Sequence, residues 1–145
     1  MKVRPSVAII ENEKVLLMRY RYGETDVYNL PGGNVDAGET LEQTLVRELE
    51  EELGIQISVG EMLLAGEVIL PQQKTDVLHC VFAASIQSGV AVLNPKETSA
   101  LEIVWQPISI LPELAMYPNV AESLQKLLTD KSSMQYVGKL NQTWY

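Results

Sequence analysis

Residues 33–55 read GNVDAGETLEQTLVRELEEELGI, a glycine-bounded loop followed by a strongly periodic run, and the rest of the chain reads as scaffold for them. Thr40 followed by Gln43 has the form of a capping box, which starts a helix near Leu41, and Gly54 supplies a left-handed stop after Leu53. At about 100° per residue, Glu48, Glu51 and Glu52 share an arc of about 100° beside a stripe of Leu45, Leu49 and Leu53. One face packs and the other collects carboxylates. Like charges at that spacing repel by a few tenths of a kcal/mol per pair, and these stand toward the negative end of the helix dipole. A bound cation would relieve the cluster. Hard oxygen ligands suit Mg²⁺ or Mn²⁺, and Mg²⁺ is commonly shared between one or two carboxylates and substrate phosphates. By composition alone a solvated helix face would look the same, so the spacing has to decide.

That spacing is Gly33, Glu39, Arg47-Glu48-Leu49, Glu51-Glu52 and Gly54-Ile55, nine fixed positions in one window of 23 residues. It resembles the Nudix box of the Nudix (MutT-like) hydrolases at every one of them, a far more specific match than a lone glycine motif. The resemblance implies a loop-helix-loop that binds divalent metal, Mg²⁺ or Mn²⁺, together with a diphosphate. It implies that Glu48, Glu51 and Glu52 supply metal ligands and, among them, the base, with Arg47 bracing them by ion pairing. The Gly32 carbonyl would join the coordination, and Glu39 would brace loop to helix. In many members an acid outside the box completes the metal site. Glu102, Glu97 and Glu67 are the candidates here, and the sequence does not separate them.

Composition narrows the setting. A chain of 145 residues, 46% apolar, has room for one domain with a substantial core. Its formal charge of -8 argues against nucleic-acid polymers and anionic membranes as partners, and a phosphate-rich substrate must then be drawn in locally by metal and a few cations. Cys80 is the sole cysteine, which excludes an internal disulfide or thiolate zinc and fits a reducing compartment. The apolar run 7–10 ends at Glu11, too short for a signal peptide or a span, so the expectation is a cytoplasmic chain without processing.

Taken in order, residues 3–10 and 14–19 read as antiparallel strands about the turn Glu11-Asn12-Glu13. Residues 20–26 read as a polar loop, with Arg19 and Arg21 the cations best placed for a substrate phosphate. Residues 28–33, YNLPGG, form a short strand entering a tight turn set by Pro31 and the glycines. Tyr28 stands where the family more often has tryptophan and suits either a buried or a stacking role. Residues 55–59 and 62–70 are strand-like, with Gly66 a bulge position, and 76–86 is a central strand whose His79 carries no chemistry. Pro71 falls sixteen residues after Ile55, a spacing that resembles members acting on ADP-ribose. Residues 88–98 form an irregular loop or hairpin, 101–108 a further strand with Trp105 toward the core, and 119–129 an amphipathic helix carrying Val120, Leu124, Leu127 and Leu128.

The fold class is therefore α/β, a Nudix-type α/β/α sandwich with a mixed sheet between the box helix and a C-terminal helix. Residues 1–130 make the hydrolase domain, and 131–145 a tail whose Tyr136, Val137, Leu140, Trp144 and Tyr145 suit docking on the body or on a second copy in a homodimer. The implied reaction is metal-dependent hydrolysis of the diphosphate in a nucleoside diphosphate linked to another group. That small molecule would be ADP-ribose or a nucleotide sugar by the Pro71 spacing. Two alternatives use the same fold: a triphosphate pyrophosphohydrolase that removes damaged nucleotides, and a silent module that senses a nucleotide or binds a partner. The intact box counts against the last.

Overall fold

Alternation at the N-terminus sets the frame of the computed structural model, which describes residues 1–130 and 134–145. In strand β1 (Lys2–Glu11), Val7 and Ile9 face one apolar layer and Ala8 and Ile10 the other, so both sides are covered. Such a strand belongs at a sheet centre. It pairs in parallel with β5 (Val77–Ser88) from Lys2↔Val77 to Ile9↔Ala84. On the far side of β5 lies β4 (Gln56–Val68), antiparallel, and β4 takes β7 (Gln135–Lys139) in parallel as the edge. On its other side β1 meets β2 (Lys14–Tyr22) at Ile10↔Val15 and Glu11↔Lys14, and there the ladder ends. Strand β2 carries β3 (Thr25–Asn29) on one side and β6 (Glu102–Pro107) on the other.

The opening between β1 and β2 receives the glycine turn. The Val7 N–H donates to the Pro31 carbonyl at 2.8 Å, and the Gly33 N–H to the Pro5 carbonyl at 3.3 Å. Between those two bonds Gly32 faces Ser6 as a non-bonded pair, which leaves the Gly32 carbonyl out of the bridge. A side chain on Gly32 would overlap the Pro5 carbonyl and Ser6, so glycine is required by closeness rather than by torsion.

The two faces of the sheet are covered by the two helices. Helix α1 (Leu41–Leu53) packs Leu45, Leu49 and Leu53 on Val7, Ile9, Leu16 and Met18, while α2 (Ala121–Asp130) packs Ala121, Leu124 and Leu127 on Ala8, Leu17 and Val81. Each of these leucines, fully buried, contributes roughly 1.5–3 kcal/mol. The expected α/β/α sandwich is the observed one, and the box helix keeps its expected ends. Thr40 Oγ1 accepts from the Gln43 N–H at 3.1 Å, Gln43 Oε1 accepts from the Thr40 N–H at 2.9 Å, and Gly54 closes the helix at φ 68°.

Two readings need correction. Residues 20–26 are a hairpin, not a loop: β2 continues to Tyr22 and β3 begins at Thr25, with Gly23 turning the chain at φ 62°. The polarity there hides a period of two. Tyr20 and Tyr22 stack on one face with ring centroids 6.5 Å apart, and Arg21 meets Asp26 across the strands at 2.9 Å. Residues 56–68 are one strand, irregular around Val59 and Met62; Gly66 keeps register with β5 opposite His79, and it is the ladder to β7 that shifts there. Val137 and Leu140 approach Gly66 too closely for a side chain. Beyond β7, the Leu140 N–H donates to the Glu67 carbonyl at 2.8 Å and its side chain is buried. The boundary drawn after residue 130 abuts residues 131–133, which lie outside the described residues. Among the described residues no helix is long and apolar enough to cross a membrane.

Candidate active site

The loop of residues 34–40 is fastened to α1 by one guanidinium. Arg47 donates from Nε to Glu39 Oε2 at 2.7 Å and from Nη2 to Glu39 Oε1 at 2.9 Å, a bidentate pair. Its Nη2 also donates to the Asn34 carbonyl at 3.1 Å, and Nη1 to both Glu48 Oε1 and Glu51 Oε2 at 3.1 Å. Glu39 is further held by the Asp36 N–H at 2.9 Å and the Thr44 hydroxyl at 3.0 Å. The Arg47 bonds, the Asp36 N–H and the Thr44 hydroxyl together hold the Glu39 carboxyl down at about 2. Glu39 is thus a brace, and so is Arg47.

The next turn of the helix is arranged in the opposite sense. Glu48 is folded under the glycine turn, its side chain 15% exposed, and Gly33 lies so close to its carboxylate that any Cβ there would overlap it. Burial pushes the Glu48 carboxyl up, against the pull of Arg47. Glu52 has no ion-pair partner among the described residues. Burial first, then the charges of Glu48, Glu51 and Glu97, push its carboxyl up to about 7, with Arg4 opposing. Glu51 is the more open member at 41% exposure. The last turn of α1 contains no basic residue, so the helix dipole adds to the crowding.

A second loop closes this end of the helix. The N–H groups of Val92 and Asn94 donate to the Leu53 and Glu52 carbonyls at 3.0 and 2.9 Å, and Asn94 Nδ2 reaches the Glu51 carbonyl at 3.3 Å. These bonds satisfy carbonyls that a helix end leaves open, and they bring Glu97 within electrostatic reach of Glu52.

The other expected site residues are placed as follows. Arg19 is paired with Asp26 at 3.3 Å and with Glu102 at 3.1 Å, and Arg21 with Asp26 at 2.9 Å. Arg19 is therefore shared between Asp26 and Glu102, and Arg21 is paired with Asp26, at the β2–β3–β6 junction. Tyr28 packs against the α2-side core, its N–H donating to the Ala115 carbonyl at 2.9 Å. Pro71 opens the exposed turn between β4 and β5. Glu67 accepts from the Tyr136 hydroxyl at 2.7 Å.

Arg4 was not singled out by the sequence, yet its charge acts on both Glu48 and Glu52. It stands opposite His79 in the β1–β5 register, and His79, buried and edge-on to Tyr117 at 5.5 Å, is held neutral, down at about 4 by burial and then by Arg4. The signal for Arg4 was available only as its place on a strand that begins beside the glycine turn.

Among the described residues no three acidic, histidine or cysteine side chains already converge on one point. Arg47 accounts for this by drawing Glu48 and Glu51 toward itself. The donor set nevertheless fits a hard divalent cation: a half-buried unpaired carboxylate, two more beside it, and a glycine carbonyl left out of its bridge. Such a set can bind metal and phosphate oxygen together and accept a proton near neutrality.

Comparison with known proteins bears on this arrangement. The family model described as NUDIX domain matches residues 1–127. The NAD-capped RNA hydrolase NudC of Photobacterium profundum is 30% identical over 118 residues, covering 81% of this chain and 42% of that protein. NudC of Shigella dysenteriae is 34% identical over 118 residues, at 81% and 44%. The chain thus spans less than half the length of the curated relatives it matches. Among solved structures, a MutT NUDIX hydrolase from Burkholderia pseudomallei superposes with a TM-score of 0.72 at 28% identity, covering 84% of this chain and 95% of that one. An ADP-ribose pyrophosphatase from Streptococcus suis, at 21% identity, TM-score 0.69 and coverage of 95% and 97%, shares the fold.

Proposed function

Because the chain belongs to the NUDIX family, a family of hydrolases that generally use divalent metal cations, we propose that it hydrolyses the diphosphate of a nucleoside diphosphate linked to a second group. The products are a nucleoside monophosphate and the phosphorylated second group. The observation that carries this reading is the pair Glu48 and Glu52, part-buried and crowded under a glycine turn that leaves no room for a side chain, with Arg47 reaching Glu48 and no cation paired to Glu52 among the described residues. A fold gains nothing from such a cluster unless a ligand relieves it.

Mg²⁺, or Mn²⁺ in its place, would be held by Glu48, Glu51, Glu52 and the Gly32 carbonyl, with Glu102 or Glu97 as the acid from outside the box. When bound, the ion neutralises diphosphate charge and lowers the pKa of an attacking water. Arg47 keeps Glu48 and Glu51 aimed along one side of α1, and a carboxylate of the coupled cluster takes the proton of the attacking water. Arg4 supplies positive charge at the same opening, and Arg19 and Arg21 reach substrate only by leaving Asp26 and Glu102.

The substrate is a small molecule rather than a nucleic-acid polymer, in keeping with the net charge of -8. ADP-ribose and nucleotide sugars are favoured by the Pro71 spacing, and the NudC relatives, named for NAD-capped RNA, put an NAD-type diphosphate beside them, to be tested both free and as a cap. The likeness to a MutT hydrolase keeps nucleoside triphosphates in view as the second reading. A panel of ADP-ribose, UDP-sugars, NAD, NAD-capped RNA and the triphosphates, assayed with Mg²⁺ and with Mn²⁺ and followed by phosphorus NMR, tests both. Turnover of diphosphate compounds to monophosphates is the expected result. Release of pyrophosphate from triphosphates alone favours the second reading, and silence across the panel overturns both.

A further inference from the structure

Four aromatic side chains, Tyr22, Tyr117, Trp144 and Tyr145, line a cleft of about 290 Å³ that the chemistry above does not use. We infer that this cleft holds the nucleobase of the substrate, stacked between Tyr22 and the C-terminal pair, while the diphosphate lies at the α1 carboxylates. The inference rests on the hydrolase reading for the diphosphate and on separate geometry for the base.

The cleft is built, not incidental. Tyr117 is fixed on both sides: its N–H donates to the Tyr28 carbonyl at 3.2 Å, and its ring meets buried His79 edge-on at 5.5 Å. The C-terminal segment is tied down just before Trp144. Gln142 Oε1 accepts from the Asn119 N–H at 2.6 Å, its Nε2 donates to the Met116 carbonyl at 3.1 Å, and Asn119 Nδ2 donates to the Asn141 carbonyl at 2.9 Å. Residues that are held this way lose little further freedom on binding a ligand.

Despite these tethers, the rings remain open to solvent. Tyr22 is 47% exposed and Trp144 52%, an unusual state for large aromatic surfaces that already lie side by side. The volume is small for a whole nucleotide and close to the lower end of ligand pockets, roughly 300–1,000 Å³, which suits one ring system.

Position relative to the carboxylates selects a nucleobase over other flat ligands. Tyr20 and Tyr22 are stacked on one face of β2 with centroids 6.5 Å apart, and Tyr20 feels the charge of Glu52, so Tyr22 stands one ring spacing from a side chain within electrostatic reach of the carboxylates. From the other side, Arg4 acts on Glu48 and Glu52 and also on Tyr117. The cleft and the carboxylates therefore flank the same cation. A ligand that is flat and apolar at one end and an anion at the other, a nucleotide, matches that order, and base–aromatic stacking tolerates any base.

Calorimetric titration without metal reads the cleft alone. AMP, GMP, CMP and UMP are compared with ribose 5-phosphate, which carries the phosphate without a base. At least one nucleotide is expected to bind tenfold or more tighter than ribose 5-phosphate. Tyr22→Ala and Trp144→Ala should each cost about tenfold toward that nucleotide and nothing toward ribose 5-phosphate, with Trp144→Phe retaining most of the affinity. The inference is overturned if no nucleotide outdoes ribose 5-phosphate, or if both alanine variants bind as the parent does. Turnover with Mg²⁺ separates the two readings: hydrolysis without base discrimination removes the cleft and leaves the hydrolase, whereas base discrimination without hydrolysis does the reverse.

Discussion

Two acidic sites of opposite character stand at the two ends of α1. Glu39, at the approach to α1, is held on two edges by Arg47, by a backbone N–H and by a hydroxyl, and its carboxyl falls to about 2. Glu52, a little over three turns further on, is half-buried, feels the charges of Glu48, Glu51 and Glu97, and rises to about 7. The same residue type is stabilising at the first position and destabilising at the second. Charge that is paired belongs to the scaffold; charge that is crowded and unpaired costs stability and is kept for a ligand.

The widest separation between the two should come from Glu52→Gln. Turnover should fall by about 10²–10⁴-fold, the usual reach of a positioned acid or base, while circular dichroism and the melting temperature show the fold intact. Wild-type rates in that variant would take Glu52 out of the site. Gly33→Ala comes next, because the added methyl must displace the Glu48 carboxylate; an activity loss of roughly tenfold or more is expected, with the helix preserved. Arg47→Lys keeps the charge but loses the fork that serves Glu39, Glu48 and Glu51 together, so the melting temperature should drop by several degrees and activity with it. A variant as stable as the parent would show the brace to be ornamental.

The smallest effect is the most diagnostic. Glu52 has its folded pKa raised from 4.5 to about 7, so the folded state holds the extra proton and metal-free stability declines as pH rises between those values. Glu52→Gln lacks that decline. Its melting temperature should exceed the parent's by about 2–4 °C at pH 8, the shift roughly 1 kcal/mol makes in a domain of this size, and the gap should close by pH 4. Glu39 runs the other way: its contribution is complete above 4.5 and fades as pH falls toward about 2. Mg²⁺ added at pH 8 should raise the parent's melting temperature more than that of Glu52→Gln.

Much of this is legible in the sequence alone, and for definite reasons. The ends of α1 followed from Thr40, Gln43 and Gly54, because caps are local chemistry. The layering followed from Val7, Ile9, Leu45 and Leu124, because periodicity reports which side is buried. What escaped was non-local. Residues 20–26 looked like a loop since Arg21 has its partner, Asp26, on the next strand, and a polar residue with a cross-strand partner reads in sequence as a polar residue alone. Arg19 looked free for phosphate until Glu102, far along the chain, was brought to it. Arg4 and Tyr117 had no motif at all, and only the β1–β5 register and the return of the chain beside Tyr28 bring them to the opening.

Strands β1 and β2 part after two rungs. A seam that unzips so early makes the opening a property of backbone pairing rather than of any side chain. Where that ladder stops, β1 gives its next backbone partners to the glycine turn instead, through Val7 and Gly33, so a change in strand pairing could close the opening while leaving every acidic residue of the motif in the sequence.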